Sequence, residues 1–139
     1  MATQRLIELA ERLAERDREL SESLGRAWEC ARELREKLEA AAEAFRQTVR
    51  ERGAEHLANV EVGPVEPDQK HVDCVQFRIA RGRSEALCVV KAAGKVTLVG
   101  PYKRGKKEKP CVDFPLGGAE VERGLEDLLA TLIEKASER

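Results

Sequence analysis

Two histidines and four cysteines are the side chains of this 139-residue chain best suited to chemistry. His71 and Cys74 stand three apart, and with Cys88 and Cys111 they make a ligand set that zinc accepts. The spacing argues against a site. Cys88 and Cys111 stand singly in separate segments, whereas structural zinc usually takes a second close ligand pair. A thiol beside a histidine would instead be a nucleophile. Cys74 and Cys88 fall inside strand-like runs, however, where a buried thiol behaves as a small hydrophobe. No CxxC occurs, and Cys30, Cys74, Cys88 and Cys111 read as reduced thiols of a cytoplasmic protein. Gly117-Gly118 could offer backbone N–H groups to an anion. It lacks the Lys-Ser/Thr of a P-loop and the third glycine of a dinucleotide fingerprint, so it reads as a strand-to-helix turn. The expectation is no catalytic residue, no metal and no cofactor.

Cations are the stronger signal. Residues 70–110 hold 11 basic and 3 acidic groups, while every other stretch is net acidic, so a near-neutral chain conceals a basic centre. Lys103, Arg104, Lys106, Lys107 and Lys109 crowd one loop between Pro101 and Pro110, and Arg78, Arg81 and Arg83 precede it. Clustered cations on a pliable backbone suit phosphate contacts. Tyr102 is the sole aromatic there, which gives base stacking little support. The competing reading is a solvated loop whose lysines keep a sheet edge from pairing with neighbours.

The elements that must position these groups begin with a long helix, from Thr3 to about His56. Leu6, Leu13, Leu20, Ala27, Leu34 and Ala41 recur every seven residues. Offset by four stand Ala10, Leu24, Ala31, Leu38 and Phe45, broken once by Asp17, and together they form a coiled-coil-like seam. Ile7, Ala14, Trp28, Ala42 and Val49 widen it, as in a bundle or a packed domain. Glu8 with Arg12, Glu22 with Arg26 and Glu33 with Lys37 have the spacing of helical ion pairs. Thr3 is the expected N-cap, and Gly53 the expected stop. Such a helix spans ~80 Å, against a radius of gyration near ~13 Å for a domain of ~100 residues. It should overhang its own domain. Ser21, Ser23 and Gly25 form its weakest patch, where a reversal would give a helical hairpin. The heptad register passes Gly25 unshifted, which favours one continuous helix.

Alternating valines over 59–68, interrupted by Pro64 and Pro67, suit an edge strand or a linker. Three strands joined by tight turns follow, over 71–81, 85–92 and 95–100, then a short one over 111–114. A closing helix from Ala119 to about Ser137 carries an apolar face to lay on the sheet. Gly124 in its first turns marks either close packing against a strand, the favoured reading, or a fraying end. The fold class is α+β: a long N-terminal amphipathic helix (1–57), then a small domain (58–139) of an antiparallel meander of three to five strands and a C-terminal helix.

No apolar run approaches a membrane span or the core of a signal peptide. Heavy use of Arg, Ala and Glu fits a GC-rich bacterial genome. The layout resembles, in outline, coiled-coil-tethered α+β interaction domains, but no family motif stands in it. The expected function is a non-enzymatic homodimer that presents its sheet domain to a partner. Leu13, Leu20, Leu24, Trp28, Leu34, Leu38 and Phe45 would carry assembly. The alternative is a nucleic-acid or polyanion binder using the basic sheet and the 101–110 loop.

Overall fold

The computed structural model describes residues 3–105 and 109–137. Helix α1 runs unbroken over Gln4–Glu51, straight through Gly25, so the hairpin is not formed. No proline interrupts this stretch, and its alanines, glutamates, arginines and leucines are strong helix formers. Thr3 stands at the N-cap position, where its carbonyl accepts from the N–H groups of Leu6 and Ile7 at 3.1 Å each. Its hydroxyl makes no capping bond. Gly53 ends the helix at φ +78°, which lets the Ala54 N–H reach back to the Val49 carbonyl at 2.8 Å. A single 3-10 turn, Glu55–Leu57, then leads to the sheet.

Among the described residues six strands follow: β1 Glu61–Val62, β2 Glu66–Pro67, β3 Cys74–Arg81, β4 Ser84–Lys91, β5 Lys95–Lys103 and β6 Cys111–Pro115. All pairings are antiparallel, in the order β1-β3-β4-β5-β6, with β2 sharing the outer edge of β3 with β1. Helix α2, Ala119–Ala136, closes the described chain. This is the α+β arrangement read from the sequence. The prolines Pro64 and Pro67 sit on or beside the edge pieces, where no ladder donor is needed.

Alternation assigns the two faces of the sheet. Val75, Phe77 and Ile79 of β3, Ala86, Cys88 and Val90 of β4, and Val96 and Leu98 of β5 share the face beneath the helices. Helix α1 crosses β3 and β4, α2 lies over β4 and β5, and the helices touch each other. From α1 come Ala27, Ala31, Leu34, Leu38 and Ala42, and from α2 Val121, Leu125, Leu128, Leu129 and Leu132. Each large apolar side chain buried here contributes roughly 1.5–3 kcal/mol. Gly124 does mark a close approach: a Cβ there would lie 2.7 Å from Phe114 Cζ and 3.1 Å from Leu98 Cδ1.

Two arginines of α1 hold the sheet edge, a role their charge alone does not announce. Arg35 donates to the carbonyls of Gly63 (2.7 Å) and Val62 (2.9 Å). Arg46 donates to the Val60 carbonyl from Nε and Nη2, and its Nη1 meets Glu39 and Glu43 at 2.9 Å. The edge is thereby covered rather than left open to pairing.

The helical ion pairs differ from the expected ones among the described residues. Arg18 pairs with Glu15 and Glu22, Arg26 bonds Ser23 Oγ, Glu8 accepts from Gln4, and Lys37 leaves its helix to meet Glu122 of α2. On a solvated face many partners are nearly equivalent, so spacing does not choose among them.

Strand β5 also exceeds expectation. It continues through Pro101 and Tyr102 to Lys103, where a loop was expected from Pro101. The register shifts between Glu85 and Leu87, so that Val99 faces Leu87 but Tyr102 faces Glu85. One extra residue in β5 makes this a bulge. Gly100 permits it at φ +107°, with its Cα so near β4 that a Cβ would lie 3.0 Å from the Glu85 carbonyl oxygen.

Candidate functional site: a projecting helix and a divided basic surface

The structure divides the heptad seam into two halves. Over 27–42 the seam is spent inside the molecule: Leu34 is 6% exposed and Leu38 is buried, both within the chain's own core. Leu24, Trp28 and Phe45 are half-buried and packed against that core, with Arg32 stacked over the Trp28 ring at 5.1 Å. Over 3–22 every residue is exposed. Leu6 (59%), Leu13 (52%) and Leu20 stand open on one line of the helix, flanked by Ile7 and by Leu9, which the heptad reading passed over. This arm extends about 30 Å. Of the residues named for assembly, then, Leu13 and Leu20 are free on the arm. Leu34 and Leu38 are already covered by β3, β4 and α2, because an α1 that packs on the sheet turns its seam inward from Ala27 onward.

Strand alternation likewise divides the cations. Arg78 and Arg81 are three apart in β3 and so point to opposite faces. On the open face Arg78 and Arg104 converge on Glu85. The Glu85 side chain is buried, yet Arg104 Nε donates to its Oε1 at 2.6 Å and Arg78 Nε lies 3.5 Å from its Oε2. The Tyr102 hydroxyl lies 3.5 Å from the same Oε2, and burial followed by the nearby Glu85 charge raises its pKa. Lys109 caps the Tyr102 ring at 4.5 Å. Two of the expected anion-binding residues are thus neutralised within the fold. Glu85 is the residue that sequence reasoning missed, since an acid at the start of a strand carries no signal of its cross-strand neighbours.

Arg81 lies on the helix side, between the Glu55–Leu57 turn and the end of α2, and is 5% exposed. Its Nη1 donates to the Leu57 carbonyl at 2.7 Å and its Nη2 to Ser137 Oγ at 3.2 Å, and Phe45 stacks 5.7 Å from Cζ. Burial pushes its guanidinium pKa down. Arg81 pairs with Ser84 and Ser84 with Lys103, so Lys103 emerges on this same side. With Arg83, His56 and Lys135 they line one cleft. Lys106 and Lys107 lie outside the described residues.

The thiols and histidines do not converge. Cys88 faces the helices and Cys74 the opposite side; Cys111 is exposed on β6, and Cys30 is half-buried on α1. His71 is bound up with Asp68, whose pKa is lowered first by the Lys70 N–H and then by His71. Among the described residues no three of His, Cys, Asp or Glu stand together as metal ligands. The Gly117-Gly118 turn leads directly into α2, as a strand-to-helix connection does.

No protein-family model, no curated protein and no solved structure matches the chain.

Proposed function

We propose that this chain is a non-enzymatic interaction protein that pairs with its own copy through residues 3–22 and holds two α+β domains to face a partner. The observation that carries the reading is the arm itself. Leu6, Ile7, Leu9, Leu13 and Leu20 stand exposed on a helix whose remaining seam packs, buried or half-buried, on the chain's own core. Helices in proteins draw most of their stability from packing an apolar face, and this arm has none of that packing within the chain. A second arm would cover the stripe at roughly 25 cal/mol per Å² of apolar surface removed from water. Two linked domains would then engage a repeated partner with avidity. Four free cysteines support placement in a reducing, cytoplasmic setting. No helix of the described residues is long and apolar enough to cross a membrane.

The test is solution mass. Wild type should scatter light as twice 15.5 kDa, and Leu13→Asp with Leu20→Asp as one copy with the domain's melting unchanged. A wild-type monomer at tens of micromolar, about 6–7 kcal/mol on the affinity scale, would remove the reading.

A second reading, polyanion binding by the basic sheet and the 101–110 loop, is favoured by Arg83, Lys103 and Lys109, none of which pairs with an acid among the described residues. Retention on heparin that falls steeply with salt would support it, and no retention at low salt would end it.

A further inference from the structure

We infer that the cleft where the helix-side end of the sheet meets the Glu55–Leu57 turn and the C-terminal end of α2 binds the phosphate group of a small phosphorylated ligand. The cleft has a volume of about 490 Å³ and is bordered by Arg81, Arg83, Lys103, Lys135 and His56. No acidic side chain lines it among the described residues. Arg81 is the anchor. The residue is 5% exposed, and both of its described bonds go to neutral oxygens. Three of its five N–H groups have no protein acceptor among the described residues. Burial lowers its pKa. A charge so placed is costly unless something negative compensates it.

The fold supplies little of that compensation. Ser137 follows the last residue of α2, so the negative end of the helix dipole points here. That end amounts to about half an elementary charge, against four permanent cations. A monocarboxylate leaves most of that imbalance in place, whereas a phosphomonoester or pyrophosphate, with two or more charges, meets it. An arginine fork matches phosphate geometry, and the lysines add point charges. The volume exceeds that of a bare phosphate ion and falls within the range of small-ligand clefts, about 300–1,000 Å³. A nucleic-acid strand is the poorer fit, because these cations converge on one recess while Arg78 and Arg104 are held by Glu85 on the other face. The site is separate from the arm, so it stands whether or not the chain dimerises.

The experiment is calorimetric titration of the full chain with inorganic phosphate, pyrophosphate and adenosine monophosphate, and separately with single-stranded DNA. Arg81→Gln would disturb the anchoring of α2, so the informative variants are Arg83→Ala and Lys103→Ala on the rim. Pyrophosphate or the nucleotide should bind wild type, and each rim variant should weaken binding about tenfold while leaving the unliganded melting temperature unchanged. Arg104→Ala, on the opposite face, should leave that affinity as it is. No heat and no melting shift with any small probe at ~10 mM would overturn the site. So would binding of DNA alone, lost with Lys109→Ala and kept with Lys103→Ala.

Discussion

Arg104 Nε donates to Glu85 Oε1 at 2.6 Å, and the carboxylate it meets is buried while the guanidinium is two-thirds exposed. The burden of the pair is therefore unequal. Replacing the acid, Glu85→Gln, leaves Arg78 and Arg104 free to turn into water and should cost about 1 kcal/mol. Removing both cations, Arg78→Ala with Arg104→Ala, strands a buried carboxylate and should cost roughly 2–4 kcal/mol. Urea unfolding of the two variants measures the difference. Equal losses would show that Glu85 is better hydrated than its burial implies.

The bulge that brings Tyr102 opposite Glu85 rests on Gly100. A Cβ there would meet the Glu85 carbonyl oxygen at 3.0 Å and Ala86 Cα at 3.1 Å, both backbone atoms, at φ +107°. Gly100→Ala should destabilise by about 1–3 kcal/mol. Gly25 is the opposite case, with open space around it in the interior of α1. Gly25→Ala should stabilise by about 0.5–1 kcal/mol. Thermal melts of the two alanine variants should move in opposite directions.

Thiol reactivity should follow burial. Cys111 is exposed, whereas burial raises the pKa of Cys30 and of Cys88, and burial followed by Asp73 pushes Cys74 up to about 11. A disulfide reagent near pH 8 should modify Cys111 rapidly, half-buried Cys30 more slowly, and Cys74 and Cys88 only on unfolding. Mass spectrometry of the peptides identifies the modified thiol, and rapid labelling of Cys74 or Cys88 would contradict the fold. The same shift carries a pH dependence. The folded state favours the neutral Cys74 thiol, so its contribution is complete below the ordinary value of 9.0 and lost as pH rises towards about 11. Cys74→Ala should flatten that alkaline decline.

Periodicity made the elements legible, because a seven-residue repeat and a two-residue alternation are each local. Gly124 was half legible: a glycine inside an apolar helix face suits a close neighbour or a fraying end, and the packing of Phe114 and Leu98 decides for the first. The site was not, since its geometry is decided across strands. Arg78 and Arg81 are near-neighbours in sequence, yet Glu85 claims the first and the cleft receives the second. The bulge at Gly100 then sets which side Tyr102 and Lys103 face, and one inserted residue leaves no periodic trace. The seam misled in another way. Its heptads continue evenly from Leu6 to Phe45, but nothing in a repeat says where a sheet begins to cover it, and here that happens at Ala27.

Asp17 offers the last test of the arm. It interrupts the stripe between Leu13 and Leu20, at a position otherwise held by Ala10 and Leu24. In a pair of arms this carboxylate would be drawn towards a surface that excludes water, at a cost in affinity and a gain in register. Asp17→Leu would extend the apolar line without an extra charge to solvate. It should tighten self-association about tenfold or more, which corresponds to ~1.4 kcal/mol. Sedimentation over a concentration series reads that change directly. The control is Leu34→Asp, which places a charge in the domain's own core and should unfold the chain. An unaltered association constant for Asp17→Leu, with Leu13→Asp still dimeric, would place the contact away from this stripe.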